Sequence, residues 1–326
     1  MKNVVVFGGA HIDRRGRIAS ATTLGASNPG RWFEEAGGGG FNAARGMARL
    51  GLSVSMVAPR GGDAEGETVA RAAEAAGIID RSFTFLDRRT PSYTAILEAD
   101  GNLVVALADM DLYTMFSPRR LRQRALRDLV AEAHLVLVDA NLPAETLSAA
   151  LRMAKEAGAR TAAIAISPAK VERLRPAFPH LDLLFLNEAE AAAIGGEKST
   201  TAEGWPAILQ GAGIAGGVVT RGGRAAVAFN GDAVATVRPP VIEALGDVTG
   251  AGDALAAGFL DALMRGAALG ECLRAGVGAA AVTVRSPLAV ADDLSPERLA
   301  QELDLVSPAE ILFSQPHHRI AEKDAP

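Results

Sequence analysis

The sequence of 326 residues has little cysteine, little lysine, few aromatic side chains and no excess of positive charge. Its single cysteine, Cys272, cannot form an internal disulfide or a cysteine-cluster metal site, which fits a reducing compartment. The formal net charge of −5 argues against a nucleic-acid partner read through a basic face. Only 5 of the 33 basic residues are lysine, which we interpret as a coding bias of the source genome.

Long hydrophobic runs are also missing. The N-terminus leads directly into a short strand-like segment at 4–7 and has no stretch long enough for the core of a signal peptide. The longest weakly polar stretch, 275–284, has about ten residues, which is too short to span a bilayer. We therefore expect a cytoplasmic protein with no membrane partner.

Hydrophobic residues make up 49% of the chain, which predicts a globular fold, and glycine is in surplus. There are 35 glycines, about one residue in nine, whereas about 7% is usual. They concentrate at 37–40, 211–223 and 246–252. These three places are the first candidates for function.

Short apolar segments alternate with helical ones along most of the chain. The predicted strands are 4–7, 53–58, 135–139, 161–166, 183–186 and 217–220, and the predicted helices are 42–50, 65–76, 117–133, 144–157, 169–175, 252–265, 269–284 and 296–304. Two turns, Asp100-Gly101 and Asn230-Gly231, each lie between apolar runs and predict hairpins. Repeated strand–helix units predict an α/β fold with a mainly parallel sheet covered on both faces.

Two segments, 12–36 and 90–110, do not follow this alternation. We interpret them as insertions that form a small β-structured lid on a single domain covering residues 1–313. The last residues, 314–326, read as a polar C-terminal tail.

The glycine-rich segment 37–40 precedes the helix predicted at 42–50. It matches the spacing of a dinucleotide-binding fingerprint, but the residues before it are polar instead of a buried strand. Two readings stay open. The segment is either a connector that lets the helix pack closely, or a backbone that approaches a small hydroxylated ligand without Cβ atoms in the way.

The segment 246–253, with the sequence Gly-Asp-Val-Thr-Gly-Ala-Gly-Asp, opens an apolar helix. Small residues at a helix start expose N–H groups at the positive end of the helix dipole and form an anion site. Asp253 either favours that dipole or acts as a base beside a phosphate. Phosphoryl transfer needs both features, because donors stabilise the moving phosphoryl and a carboxylate accepts the proton of the attacking hydroxyl. Walker A and protein-kinase signatures are absent.

Across nearly its whole length the chain resembles the ribokinase-like (PfkB-type) small-molecule kinases. The segments 37–42 and 247–253 look like the two signatures of that family. The resemblance implies a three-layer α/β/α sandwich with a small β lid. It makes Asp253 the catalytic base, gives the anion hole to Gly250, Ala251 and Gly252, and gives a monovalent-cation site to Asp247 and Thr249.

Other positions are assigned by the same resemblance. Asp13, Gly38 and Asn42 would bind the substrate, whereas His11 stands where many members have asparagine. The remaining matches would bind the nucleotide, with Glu190 also holding Mg²⁺ through water: Asn187, Glu190, Thr220, Gly222, Gly223, Ala280 and Val284. Without the family, 187–190 reads as a helix start and 220–223 as a hairpin turn.

Segments at 27–30, 91–94, 106–110 and 138–141 resemble pseudouridine kinases more than ribokinases or fructokinases. Gly39 and Asn141 stand where ribokinases carry a lysine and a glutamate near the sugar, which fits a larger substrate such as a nucleoside. Tyr93 is a candidate for stacking on a base, or else part of the lid core.

The prediction is therefore an ATP-dependent kinase that uses Mg²⁺ and a monovalent cation such as K⁺ and acts on a nucleoside, with a homodimer formed through the lid. Three alternatives remain at this point. They are a sugar kinase of the ribose or fructose type, a non-catalytic sugar or nucleoside sensor on the same fold, and a dinucleotide-dependent oxidoreductase.

Overall fold

The computed structural model describes residues 2–231, 233–242 and 248–313. The strands are β1 Asn3–Phe7, β2 His11–Ile18, β3 Gly30–Gly37, β4 Ser53–Val57, β5 Pro59–Gly61, β6 Ile79–Asp80, β7 Phe83–Phe85, β8 Ser92–Leu97, β9 Leu103–Asp109, β10 Leu135–Asp139, β11 Arg160–Ile164, β12 Leu183–Asn187, β13 Gly216–Arg221, β14 Arg224–Asn230, β15 Ala233–Val237 and β16 Glu310–Phe313. The α-helices are α1 Gly39–Arg49, α2 Ala64–Ala75, α3 Pro118–Leu121, α4 Arg124–Ala131, α5 Ala144–Glu156, α6 Glu188–Gly195, α7 Trp205–Gly211, α8 Ala251–Met264, α9 Leu269–Val284 and α10 Pro296–Leu303. Two 3₁₀ helices span Asp111–Met115 and Val171–His180.

Ten strands form the central sheet in the order β16-β15-β14-β13-β12-β11-β10-β1-β4-β6. The pairs from β13 to β6 are parallel, and the three pairs from β13 to β16 are antiparallel. The predicted mainly parallel α/β sheet is therefore confirmed. Since the carboxyl ends of parallel strands meet at one edge, the loops after β1, β10, β11, β12 and β13 gather there.

Helices cover both faces of this sheet. Along β1, Val5 and Phe7 contribute to one hydrophobic cluster with residues of α4, α5, α6 and α7. Val4 and Val6 contribute to the other cluster, with residues of α1, α2, α8 and α9. This alternation of side chains produces the three-layer α/β/α arrangement that the sequence predicts.

A separate four-stranded sheet has the order β3-β2-β8-β9. Its strands coincide closely with the two predicted insertions. The β8–β9 hairpin is confirmed, and Gly101 in its turn has φ of +93°. The hairpin of β14 and β15 is confirmed as well.

Two predicted helices differ from the structure. The segment 117–133 divides into α3 and α4, which end at Leu121 and Ala131. The segment 169–175 belongs to a 3₁₀ helix that runs to His180, because prolines at 176 and 179 lack the N–H that an α-helix needs. The tail 314–326 lies outside the described residues, and the division into one domain with two insertions stays a prediction.

Candidate active site

Asp253 lies in the first turn of α8, half-buried at the carboxyl edge of the parallel strands. Its Oδ2 accepts a hydrogen bond of 2.9 Å from Nδ2 of Asn42 on α1. The Arg45 guanidinium donates to Oδ1 of Asn42 over 2.6 Å, which turns the amide nitrogen of Asn42 toward Asp253. Two helices therefore meet at this carboxylate, and its orientation is fixed by an amide.

The surroundings of Asp253 disfavour its charged form. Burial raises the pKa of Asp253 to about 7, the hydrogen bond from Asn42 opposes this, and the negative charges of Asp139, Asp13 and Glu190 add to the rise. A carboxyl group with a pKa near neutrality is matched to taking up a proton during a reaction. The geometry and the pKa together suit a general base.

Gly250 ends the loop before α8 in a left-handed conformation, with φ of +78°. A Cβ at Gly250 would overlap the carbonyl oxygen of Ala289, whereas a Cβ at Gly252 would meet no atom within 4 Å. The N–H of Ala251 donates to the carbonyl of Val248 over 3.3 Å. The open part of the helix start is therefore at Gly252 and Asp253, where first-turn N–H groups have no helical acceptor.

A buried carboxylate, to which the sequence motifs give no role, connects three segments at this edge of the sheet. Asp139 ends β10 and is fully buried. Its Oδ2 accepts hydrogen bonds from the N–H of Gly9 at 2.7 Å and of Gly40 at 2.8 Å, and its Oδ1 accepts one from the N–H of Asn141 at 2.9 Å. Asp139 thus fixes the loop after β1, the start of α1 and the loop after β10 relative to one another.

Most glycines at 37–40 lie so close to other groups of the protein that a Cβ at these positions would overlap them. A Cβ at Gly37 would overlap the Asp13 carboxylate, one at Gly38 would lie 2.5 Å from the Gly9 carbonyl, and one at Gly40 would lie 2.7 Å from Asp139 Oδ2. Gly38 also has φ of +109°, which favours glycine. Close internal approach is thus the main structural reason for this glycine run.

Gly39 differs from its neighbours because it faces Asp253. A Cβ there would lie 3.2 Å from Asp253 Oδ1 and would overlap Cδ1 of Ile166. Sequence reasoning expected that the missing side chain at Gly39 enlarges the substrate pocket. In the structure Cδ1 of Ile166 lies where a Cβ of Gly39 would be, and a larger pocket at Gly39 stays a prediction.

On the lid side, Asp13 is held by its own strand. Nε2 of His11 lies 3.2 Å from Asp13 Oδ1, and Nδ1 of His11 lies 2.8 Å from the hydroxyl of Tyr113. Both ring nitrogens of His11 therefore have partners within the protein, and the ring positions Asp13. Burial raises the pKa of Tyr113 well above its usual value, so its hydroxyl stays protonated.

Tyr93 lies beside Asp13 in the lid sheet. The two are register partners on β8 and β2, and Glu35 on β3 is the partner of Asp13 on the other side. Laterally paired residues share a face of a sheet, so Tyr93 is half-buried on the same side as Asp13. The structure thus brings together the two lid residues that the sequence selected.

A cavity of about 330 Å³ opens between the lid and the loop after β10. Its lining includes Asn141 and Tyr113 together with Ala108, Lys170 and Arg173. Lys170 donates to Oδ1 of Asn141 over 2.7 Å, and burial lowers the pKa of this lysine. Sequence reasoning found Asn141 but not the two cations beside it.

The residues predicted for the nucleotide occupy the neighbouring strand ends. Asn187 ends β12 and caps α6: its Oδ1 accepts from the Glu190 N–H at 2.9 Å, and Glu190 Oε2 accepts from the Asn187 N–H at 2.8 Å. Burial raises the pKa of Glu190. Thr220 is the register partner of Asn187 on β13. The helix-start reading of 187–190 is thus confirmed as a capping box, in a position that also faces the site.

Gly222 and Gly223 form the two-residue turn between β13 and β14, so the hairpin reading of 220–223 is confirmed. Gly222 has φ of +62°, and a Cβ on either glycine would meet no atom within 4 Å. Ala280 and Val284 lie four residues apart on one face of α9, both half-buried. Both glycines of the turn thus have open space beside them, and both α9 residues are partly accessible to solvent.

The predicted cation residues are only partly described. Thr249 is exposed just before α8, whereas Asp247 lies outside the described residues. Over residues 2–231, 233–242 and 248–313, no group of three or more His, Cys, Asp or Glu side chains is placed to hold a metal ion. In the same ranges no helix is both long enough and apolar enough to cross a membrane.

A model of the pfkB family of carbohydrate kinases matches residues 1–296. The chain belongs to this family. Membership implies an ATP-dependent kinase acting on a sugar or nucleoside, and it makes the dinucleotide-dependent oxidoreductase the wrong alternative.

Individual relatives agree with the pfkB assignment. The chain is 56% identical to the solved structure of a carbohydrate kinase from Agrobacterium tumefaciens, with a TM-score of 0.87 over 96% of this chain and 100% of that one. It is 25% identical to the pseudouridine kinase of Escherichia coli (strain K12) over 95% of this chain and 98% of the relative. The structure of Arabidopsis thaliana ribokinase complexed with ribose and ATP has a TM-score of 0.79 at 22% identity, covering 93% of this chain and 98% of that one, which supports the ribokinase-like fold.

Within this pfkB-family site, the residues that sequence reasoning missed share one property. Asp139, Tyr113, Lys170 and Ile166 belong to no glycine-rich motif, and each reaches the site through a contact distant in sequence. A charged residue ending an otherwise fully apolar strand was the one available signal, at Asp139. The other three have no local signal.

Proposed function

We propose that the protein transfers the γ-phosphoryl group of ATP to the 5′-hydroxyl of pseudouridine or a closely related nucleoside. The observation that carries this proposal is the carboxylate of Asp253, oriented by Asn42 in the first turn of α8 and holding a pKa of about 7. The same carboxylate argues against a non-catalytic sensor, which has no need for a base.

In the proposed reaction, Asp253 accepts the proton of the attacking hydroxyl. The substrate oxygen forms its bond to the γ-phosphorus as the bond from that phosphorus to the bridging oxygen of ADP breaks. The N–H groups at the start of α8 stabilise the charge on the moving phosphoryl, with Gly252 giving the closest approach because it has no Cβ. Gly250 and Ala251 shape this helix start.

The acceptor would lie between the lid and the edge of the parallel sheet. Asp13, held by His11, would accept hydrogen bonds from ribose hydroxyls, and Gly38 and Asn42 would line the same pocket. Closure of the lid would exclude water, which limits hydrolysis of ATP.

Two observations favour a nucleoside over a free sugar. The first is the cavity of about 330 Å³ beside Asn141. It lies next to the proposed sugar position and is large enough to hold a small group such as a base. Tyr93 offers an aromatic face, and Lys170 offers donors to base carbonyl groups. The second is the match to the Escherichia coli pseudouridine kinase over 95% of this chain.

ATP would lie along the strand ends of β12 and β13 and the face of α9. Thr220, Gly222 and Gly223 would follow the phosphates and sugar, and Ala280 and Val284 would contact the adenine. Asn187 and Glu190 would face Mg²⁺ through water. Glu190 would be the one carboxylate directed at this ion, which fits a Mg²⁺ held mainly by phosphate oxygens and water. Mg²⁺ would supply charge neutralisation on those phosphates.

We further propose a homodimer through the lid. Leu103, Val105 and Leu107 alternate along the edge strand β9 and are 58%, 59% and 68% exposed. An unpaired apolar edge strand is a docking surface, and a second copy of the same sheet offers the matching strand. A monovalent cation at Thr249 and Asp247 is part of the proposal, tested by the dependence of the rate on K⁺.

The decisive experiment is an ATP-dependent phosphorylation assay over pseudouridine, uridine, adenosine, inosine, ribose and fructose. We expect the highest kcat/KM with pseudouridine. A preference for ribose or fructose would contradict the nucleoside assignment and leave a sugar kinase. If none of these compounds is phosphorylated but one of them binds tightly, the result would favour a non-catalytic sensor.

A further inference from the structure

Ile166 has a backbone conformation that its residue type disfavours. Its φ is +70°, and it is the one non-glycine residue with positive φ within the part of the chain that the structure describes. For a β-branched side chain the left-handed region is a genuine outlier, because Cβ crowds the following carbonyl. Such strain persists only where the surrounding structure imposes it, and it concentrates at sites of function.

The position of Ile166 is as unusual as its conformation. It follows β11 at the carboxyl edge of the sheet and is half-buried. Its Cδ1 occupies the space where a Cβ of Gly39 would be, and Asp253 Oδ1 lies 3.2 Å from that same point. The left-handed turn therefore presents an alkyl side chain next to the carboxylate that would receive the proton.

We propose that Ile166 and Gly39 form one specificity element: the strained Ile166 side chain, seated over the bare backbone of Gly39, is the apolar wall that positions the acceptor beside Asp253. The wall comes from the loop after β11 instead of from α1. An alkyl group offers no hydrogen bond, so it would pack against the C–H face of a ribose ring and leave the hydroxyl groups to Asp13 and Asn42. This inference rests on the proposed function in that the acceptor is bound at Asp253.

The alternative is that Ile166 only fills the core, since it touches both hydrophobic clusters. The variants Ile166→Gly and Ile166→Ala separate the two explanations. Both remove the wall, and only glycine removes the strain. We expect the acceptor KM to rise about tenfold in both variants, the value of a small apolar pocket contact, with the ATP KM unchanged.

The strain has its own readout in the order of the two melting temperatures. Alanine is normally the more stabilising residue, but at a left-handed position glycine is preferred. We expect Ile166→Gly to melt about 2 °C above Ile166→Ala. Ile166→Val, which keeps a branched side chain, should recover most of the acceptor affinity.

A double substitution tests whether the two residues share one space. Gly39→Ala alone should weaken acceptor binding, because the new methyl group displaces Cδ1 of Ile166. In the Ile166→Ala background the same change should cost less, and this non-additivity is what contact predicts.

Two results would overturn the inference. One is an acceptor KM within twofold of wild type in both variants, with stability reduced, which is the behaviour of a core residue. The other is a higher melting temperature for Ile166→Ala than for Ile166→Gly. If wild type does not phosphorylate pseudouridine, the proposed substrate fails, and the KM comparison is made with the compound of the panel that it does phosphorylate. If it phosphorylates none, dissociation constants replace KM.

Discussion

Replacing Asp253 by asparagine separates the chemistry of this site from its stability. The side chain keeps its shape and can keep its contact with Asn42, but it cannot take up a proton. A positioned general base contributes about 10²- to 10⁴-fold to a rate, so we expect kcat to fall by that factor. The KM values for the acceptor and ATP should stay within a few-fold of wild type.

The same substitution should stabilise the protein at alkaline pH. The pKa of Asp253 rises from its usual 3.8 to about 7 on folding, and each unit corresponds to about 1.4 kcal/mol. The unfolded carboxyl group ionises first, so the stability contribution is complete below pH 3.8 and is lost as the pH rises through 7. Because solvent reaches this half-buried group, we expect a recovery of about 1–2 kcal/mol, or a melting temperature about 2–4 °C higher at pH 8.

The assay combines steady-state kinetics with thermal melts at pH 5 and pH 8. For wild type, kcat/KM for the acceptor at saturating Mg·ATP should fall about tenfold per pH unit below a pKa of about 7, because the ionised fraction of Asp253 falls by that factor. Asp261→Asn is the matched control. It lies on the same helix, away from the site, in an ion pair with Arg265, and burial raises its pKa as well. It should therefore share the stabilisation at pH 8 and leave kcat unchanged.

Three observations would refute this reasoning. A kcat for Asp253→Asn within tenfold of wild type would remove Asp253 as the base. A kcat/KM that is flat from pH 6 to pH 8 would show that its carboxyl group is already fully ionised below neutrality. If Asp253→Asn melts at a lower temperature than wild type at pH 8, burial of the ionised Asp253 does not destabilise the protein as proposed.

Three further predictions concern the start of α8, the buried Asp139 and the edge of the lid. Gly250→Ala should abolish activity and lower stability, because the new Cβ overlaps the Ala289 carbonyl at a φ of +78°. In Gly252→Ala the new Cβ meets no protein atom, so kcat should fall while the melting temperature stays unchanged. Asp139→Ala leaves three buried N–H groups without their acceptor, so urea unfolding should show a loss of about 3–5 kcal/mol. Leu107→Glu adds a charge to the exposed edge strand β9 and should convert the proposed dimer to a monomer in analytical ultracentrifugation, with the variant still folded in a thermal melt.

The central sheet could be predicted because its strands are continuous apolar runs. In β10, for example, all five residues are buried, which is typical of a parallel strand covered on both faces. The start of α8 could be predicted because it combines small residues with an acidic first turn. Both signals are local in sequence.

The lid strands could not be assigned one by one. β2 carries three arginines and an aspartate, and its polar pattern gives no strand period. In the structure these charges pair across the sheet: Arg14 donates to Glu34, its register partner, over 2.7 Å, and Arg15 pairs with Glu35. Cross-strand ion pairs therefore replace the apolar face that strand prediction relies on.

The glycines of this chain divide by what their missing side chains would meet. At four positions a Cβ would overlap a carboxylate or carbonyl group of the protein itself: Gly8, Gly37, Gly40 and Gly250. Glycine is needed there because the chain packs closely against these groups. The glycines at 216 and 217 likewise allow β13 to approach the carbonyl groups of Asp182 and Leu184.

At Gly252, Gly222 and Gly223 a Cβ would meet no protein atom within 4 Å, although all three lie at the carboxyl edge beside Asp253 or the end of β13. Gly222 is explained by its φ of +62° alone. Gly252 and Gly223 have neither a strained φ nor a close neighbour, so packing gives no reason for them. Close approach of a ligand would give a physical reason for glycine at these two positions, which lie where the proposed phosphate path begins and ends.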